Sequence, residues 1–203
     1  MNDIRCVSDA NIWIDTCHCD HEQTYLNVYS TVGFVEQVHN EIVKFKNSNG
    51  KFNYIHQKYV DNSDLYRVLT TKELGDMEVQ FISQLRGKGF LDIDNSNKVI
   101  KNLGEYASLY YAYHMGIPFL HTTDLQFLHD EQSRMPGINM LSWSDICDEI
   151  FSDADEKIRM NKLIEQKKAE MKVEKEKFEK NKQSKLTQRL ARYQNAVNSR
   201  RNN

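Results

Sequence analysis

Short apolar runs alternate with amphipathic segments along most of the chain. Apolar runs predict strands at residues 4–8, 117–121 and 138–141. Apolar residues spaced three and four apart predict helices, most clearly at residues 35–45 and 104–114. This alternation is typical of an α/β fold in which helices cover a central, mainly parallel sheet.

The stretch from residue 46 to residue 101 has a less regular pattern. We predict strands at residues 52–55 and 66–69, a helix at residues 77–86, and a further strand at residues 90–93. After the strand at residues 138–141, Ser142 or Ser144 is expected to cap a helix that runs to residue 151.

The balance of charge changes near residue 155. Residues 1–154 hold 12 Lys and Arg against 22 Asp and Glu, a net charge of −10, whereas residues 155–203 hold 15 against 7, a net charge of +8. The tail contains neither Gly nor Pro, which predicts a long solvated helix with a candidate disordered stretch. We therefore divide the chain into a domain of residues 1–152 and a basic, charged helical tail of residues 153–203.

Composition also indicates the compartment. No stretch of about 18 apolar residues is present and the N-terminus lacks a signal-peptide pattern, so we predict a cytoplasmic protein without a membrane span. The four cysteines form no CxxC pair, which argues against a disulfide framework. Residues 17–21 (CHCDH) are a weak zinc candidate because no second ligand pair accompanies them.

Four acidic residues follow the predicted strands or lie on the helices beside them. Asp9 follows the first strand and Asp124 follows the strand that starts at residue 117, whereas Glu41 and Glu105 are expected near the starts of flanking helices. Functional sites of open parallel sheets lie beyond the carboxyl ends of the strands, where the strand order reverses. Hard divalent cations prefer oxygen ligands, so a gathering of carboxylates there predicts a metal site.

The segments around these acids resemble the sequence blocks of PIN-domain nucleases. Residues 7–15 (VSDANIWID) look like the opening strand with its Asp, and residues 38–42 (VHNEI) resemble the helix that carries the second acid. Residues 104–109 (GEYASL) and 119–128 (FLHTTDLQFL) are similar to the third and fourth blocks. The resemblance covers roughly residues 3 to 150 and includes the toxin subunits of VapBC-type toxin–antitoxin pairs.

The resemblance implies a fold, a reaction and a cofactor. The expected fold is a PIN-like three-layer sandwich, and the expected activity is that of a Mg²⁺- or Mn²⁺-dependent endoribonuclease in which a metal-activated water hydrolyses the phosphodiester bond. Asp9, Glu105 and Asp124 would bind a first ion, and Glu41 would complete its shell or share a second one. Without metal these acids repel one another, so we predict that at least one has a raised pKa.

Neighbouring polar residues are expected to support these ligands. Asn11 would orient Asp9 or contact a phosphate, and the hydroxyls of Thr122 and Thr123 would hold Asp124 or a metal-bound water.

Other residues near the motifs have simpler interpretations. His39 and His121 are expected to be packed side chains rather than catalytic bases, and Trp13 is expected in the core. Four further acids are interpreted as surface residues: Asp15, Glu36, Asp130 and Glu131.

Two alternatives to an endoribonuclease remain open. The first is a DNA-directed or structure-specific nuclease, because the carboxylates do not distinguish ribose from deoxyribose. The second is a catalytically weak PIN scaffold that acts through its tail.

The basic tail also has two interpretations. It either captures the phosphate backbone of RNA, or it mediates self-association or docking on a cognate protein such as an antitoxin. PIN domains often dimerise, so the resemblance also implies a homodimer or larger assembly.

Overall fold

The computed structural model describes residues 4–48, 50–93 and 100–201, with side chains through residue 190. The strands are β1 (Cys6–Ser8), β2 (Val32–Val35), β3 (Tyr66–Leu69), β4 (Phe119–Thr122) and β5 (Asn139–Ser142). The helices are α1 (Ala10–His18), α2 (Glu22–Tyr29), α3 (Glu36–Val43), α4 (Tyr54–Asp61), α5 (Glu78–Gly87), α6 (Leu103–Met115), α7 (Leu125–Gln132), α8 (Trp143–Ile150) and α9 (Ala154–Arg201). Short 3₁₀ helices follow α3 (Lys44–Asn47) and β3 (Thr71–Met77).

The strands form one parallel sheet in the order β3-β2-β1-β4-β5. From β1 the chain moves outward through β2 and β3, and it then returns to the other side of β1 to form β4 and β5. The strand order therefore reverses between β1 and β4, which places a topological switch point between these two strands. The predicted α/β fold with a parallel sheet is confirmed.

The centre of the sheet is buried on both faces, which explains why its strands are continuous apolar runs. Every residue of β1 and β2 is buried. Gly33 of β2 permits close packing, because a Cβ added there would lie 2.5 Å from Cδ1 of Leu69. Trp13 is fully buried, as predicted, and its indole N–H donates to the carbonyl of Ile55 at 3.2 Å.

Most predicted elements of the domain are confirmed. The strands at residues 4–8, 66–69, 117–121 and 138–141 correspond to β1, β3, β4 and β5. The helix after β5 begins where expected, with the Ser142 hydroxyl accepting a hydrogen bond from the amide of Asp145.

Two predicted strands are wrong. Residues 52–55 run into helix α4, in which Ile55 and Tyr59 are buried at a spacing of four. Residues 90–93 form no strand. Helix α2 and strand β2 were not predicted, and β2 is hard to recognise because it is four residues long, contains a glycine and runs directly into α3.

The predicted tail helix is confirmed as α9. Contacts divide the chain into two compact units that meet between Asn161 and Lys162. The first two turns of α9 belong to the first unit, since the Trp143 indole donates to Asn161 at 2.8 Å and Lys157 forms an ion pair with Asp148. The boundary predicted at residues 152–153 stays a prediction.

Two expectations from composition concern thiols and membranes. All four cysteines are buried and carry free thiols: Cys6, Cys17, Cys19 and Cys147. Over the described ranges, no helix is both long enough and apolar enough to cross a membrane.

Candidate active site

Asp9 occupies the junction between β1 and α1. Its amide donates to the carbonyl of His121 at 3.0 Å, which ties the end of β1 to β4. Its carboxylate does not cap α1 and instead accepts a hydrogen bond from Nδ2 of Asn11 at 3.2 Å. Only 2% of Asp9 is exposed. The carboxylate is therefore buried and hydrogen-bonded to Asn11, and the predicted role of Asn11 behind a metal ligand stays a prediction.

Asp124 follows β4, on the other side of the switch point. Its Oδ1 accepts a hydrogen bond from the amide of Phe127 at 3.0 Å and so caps helix α7. Its own amide donates to the hydroxyl of Thr122 at 3.1 Å, so Thr122 contacts the main chain of Asp124. Thr123, the next residue in the sequence after Thr122, is partly buried. Its predicted contact with Asp124 or a metal-bound water stays a prediction.

The two glutamates approach from different helices. Glu105 lies in the first turn of α6, as predicted, whereas the expectation for Glu41 is wrong because it lies in the last turn of α3. Gly104 brings the two helices together. A Cβ added to Gly104 would lie 3.3 Å from Oε1 of Glu41 and 3.2 Å from Cγ2 of Val38, so the carboxylate of Glu41 lies against the start of α6.

The pKa values show that these acids sense one another. Burial, followed by repulsion from Glu105, raises the pKa of Asp9 to about 8, although the Asn11 hydrogen bond opposes the change. Burial and Glu105 raise the pKa of Glu41 to about 7. The pKa of Glu105 is also raised, by burial and by Asp124. The predicted mutual repulsion is confirmed, and Glu105 is its centre.

The donor chemistry of this acidic cluster (Asp9, Glu41, Glu105 and Asp124) fits a hard divalent cation, because every donor is a carboxylate oxygen. Among the residues that the structure describes, however, no three His, Cys, Asp or Glu side chains are arranged to hold a metal ion as they stand. Ion binding therefore requires side-chain movement. Glu41 and Glu105 lie on helices and are only partly buried.

No protein-family model matches this chain, and a search of curated proteins gives no match either. The relationship to PIN-domain nucleases therefore rests on the four sequence blocks and stays a prediction. The geometry of the acidic cluster is independent of that relationship.

The two histidines near the motifs are packed side chains, as predicted. His121 is fully buried, its Nδ1 lies 2.8 Å from the hydroxyl of Tyr25, and burial lowers its pKa to about 3. His39 is partly buried, and its Nδ1 lies 3.1 Å from the hydroxyl of Tyr59.

The interpretation of the remaining acids as surface residues is correct only for Asp130. Asp15 and Glu131 are buried, and Glu36 is partly buried and accepts hydrogen bonds from Thr71. Oε1 of Glu131 accepts three hydrogen bonds, from Lys88 at 2.8 Å, Tyr106 at 3.1 Å and Arg134 at 3.1 Å. These partners explain how a charged residue can be buried, and two of them, Lys88 and Tyr106, are distant in the sequence.

Proposed function

We propose that this chain is a metal-dependent nuclease of the PIN-domain type that hydrolyses phosphodiester bonds, with RNA as its substrate. The observation that supports this proposal most is the position of Asp9 and Asp124, directly after the two strands that flank the switch point. Glu105 supports the proposal as well: beyond the larger effect of burial, Glu105 raises the pKa of Asp9, and Asp124 raises the pKa of Glu105. Ligands of open parallel sheets bind at this position.

A divalent cation accounts for the burial of like charges. Desolvation and mutual repulsion disfavour the ionised forms of these acids, and a bound Mg²⁺ or Mn²⁺ would favour them. Asp9, Glu105 and Asp124 are its proposed ligands, and Glu41 completes the shell. When bound, the ion would supply charge stabilisation at the phosphoryl group and a lowered pKa for the attacking water.

Residues behind the ligands orient them. The side-chain amide of Asn11 donates to Asp9 and so helps to fix the orientation of the carboxylate. The hydroxyl of Thr122 fixes the main chain of Asp124, and the capping bond to Phe127 fixes Oδ1. Groups behind a ligand typically contribute 10- to 100-fold in metal affinity or activity.

One observation favours the scaffold alternative over an enzyme. The acids of the described ranges are not arranged as a ready-made metal site, and a PIN-type module that works only through protein contacts does not need one. The cleavage experiment separates these two functions directly.

The experiment compares three full-length proteins on labelled single-stranded RNA and DNA, in Mn²⁺ and in EDTA. They are wild type, Asp9→Asn and the control Asp64→Asn, which removes an exposed carboxylate far from the motifs. We expect metal-dependent cleavage of RNA by wild type and the control, and a loss of about 100-fold or more in Asp9→Asn. Equal cleavage by wild type and Asp9→Asn would refute the nuclease proposal. Preferential cleavage of DNA would show that the substrate is DNA rather than RNA.

The partners of this nuclease are also proposed from the resemblance. Toxin-like members of the family act with an antitoxin, and a homodimer is the expected assembly of this chain. Light scattering on the purified protein measures the assembly; a monomer at micromolar concentration would contradict it.

A further inference from the structure

The excess positive charge of the tail is confined to its end. Residues 165–179 hold five Glu and five Lys, a net charge of zero. Residues 180–203 hold no acid and seven basic residues: Lys180, Lys182, Lys185, Arg189, Arg192, Arg200 and Arg201. The interleaved stretch is able to neutralise itself, whereas the terminal stretch has no acid of its own.

Three of these basic residues share one face of α9. Lys182, Lys185 and Arg189 are spaced three and four apart, which puts them on one side of a helix with 3.6 residues per turn. All three are exposed. In the sequence, Arg192 follows Arg189 by three positions, and Arg200 follows Arg192 by eight. We call Lys182, Lys185 and Arg189 the basic stripe.

The surroundings of the basic stripe indicate its partner. Its apolar flank is narrow, with Leu186 and Leu190 exposed by 58% and 54%, whereas helices that bind membrane surfaces carry a broad apolar face. The rest of the segment is rich in Gln, Asn, Ser and Thr, which are side chains that donate to phosphate oxygens. A row of cations with such neighbours is complementary to a phosphodiester backbone.

We infer that the basic stripe of α9 binds the phosphate backbone of the nucleic-acid substrate. The choice of nucleic acid rests on the nuclease proposed above. Residues 1–154 have a net charge of −10 and by themselves repel a polyanion, so a cationic segment on the same chain supplies the attraction that capture requires.

The test measures binding of the full-length protein to a fluorescent 20-nucleotide single-stranded RNA by anisotropy, in EDTA to prevent cleavage. One variant replaces the basic stripe: Lys182→Gln, Lys185→Gln and Arg189→Gln. The matched control removes the same charge from the interleaved stretch: Lys172→Gln, Lys175→Gln and Lys177→Gln. All six positions are exposed, and Gln has nearly the helix propensity of Lys and Arg, so circular dichroism should show equal helix content.

The salt dependence of binding reports the number of phosphate contacts. Each contact to a single strand contributes about 0.7 to the slope of log K against log salt, so loss of the basic stripe should flatten the slope by about 2. Between 50 and 200 mM salt, the wild type should then lose roughly 20-fold more affinity than the stripe variant. The control should retain the wild-type slope.

Equal slopes for the two triple variants would overturn the inference. So would wild-type protein that binds phosphatidylserine vesicles but not RNA. Because binding is measured without metal or turnover, it is separable from the nuclease itself. Stripe-dependent RNA binding without cleavage would refute only the enzyme, and cleavage without stripe-dependent binding would refute only this inference.

Discussion

The buried carboxylate of Asp9 predicts that its removal stabilises the metal-free protein. The pKa of Asp9 is raised from 3.8 to about 8, first by burial and then by Glu105. Because the folded chain holds this proton more tightly than the unfolded chain, the contribution to stability is fully present below a pH of about 3.8. It is lost progressively as the pH rises to about 8. The substitution Asp9→Asn removes the ionisable group and keeps its shape.

The size of the effect follows from the difference in pKa. Each pKa unit corresponds to about 1.36 kcal/mol, and pH 7 lies roughly three units above the ordinary pKa of an Asp, which gives an upper limit of about 4 kcal/mol. Removal of Asp9 also changes the repulsion felt by the neighbouring acids, so we expect the free energy of unfolding to rise by about 2–4 kcal/mol at pH 7. For a chain of this length that corresponds to a rise in Tm of roughly 5–15 °C.

Thermal unfolding in EDTA between pH 5 and 8 measures this difference. The gain of Asp9→Asn over wild type should increase steadily with pH, while the exposed control Asp64→Asn should follow the wild type. Added Mg²⁺ should stabilise the wild type, by about 2.7 kcal/mol at 100 times its Kd, and should leave Asp9→Asn nearly unchanged. A variant that is no more stable than wild type at pH 7 in EDTA would refute the burial argument.

Three further substitutions test other contacts. Gly104→Ala should change stability by less than about 1 kcal/mol but reduce cleavage about tenfold, because its Cβ displaces the carboxylate of Glu41; unchanged kinetics would contradict this. Glu131→Gln should lower the free energy of unfolding by about 2–3 kcal/mol in urea titrations, since it weakens three hydrogen bonds to a buried charge, and wild-type stability would show that those bonds contribute little. His121→Gln should reduce the fall in the free energy of unfolding below pH 6.5, because burial keeps the folded histidine neutral while the unfolded one takes up a proton. If urea titrations show the same fall in the variant as in wild type, another group causes it.

The position of the site followed from the sequence because it depends on strand ends. Asp9 and Asp124 directly follow short apolar runs, and strands that bury both faces are the most recognisable elements of an α/β chain. Parallel strands then bring their carboxyl ends to one edge of the sheet. Only the reversal between β1 and β4 had to be supplied by the structure.

What could not be predicted depends on distant partners. Residues 52–55 are too few to separate a helical from an extended pattern, and the Trp13 indole that donates to the carbonyl of Ile55 is 42 positions away in the sequence. Glu131 looks like a surface acid until Lys88, 43 positions earlier, is placed against it. In the sequence, Gly104 indicates only the start of a helix. The need for a residue without a side chain there depends on the carboxylate of Glu41, which lies on another helix.

Asp9 and His121 give the wild-type protein opposing pH dependences. Asp9 makes the metal-free fold less stable as the pH rises from about 4 to about 8, whereas His121, with a pKa lowered to about 3, makes it more stable as the pH rises to about 6.5. The two slopes oppose each other between about pH 4 and 6.5, and the raised pKa of Glu41 adds to the loss of stability as the pH rises, so the wild-type profile alone does not report the contribution of Asp9. A bound cation acts on only one of them, because it favours the ionised Asp9 and leaves the buried His121 neutral. In saturating Mg²⁺ the stability should therefore rise between pH 5 and 6.5 and then level off.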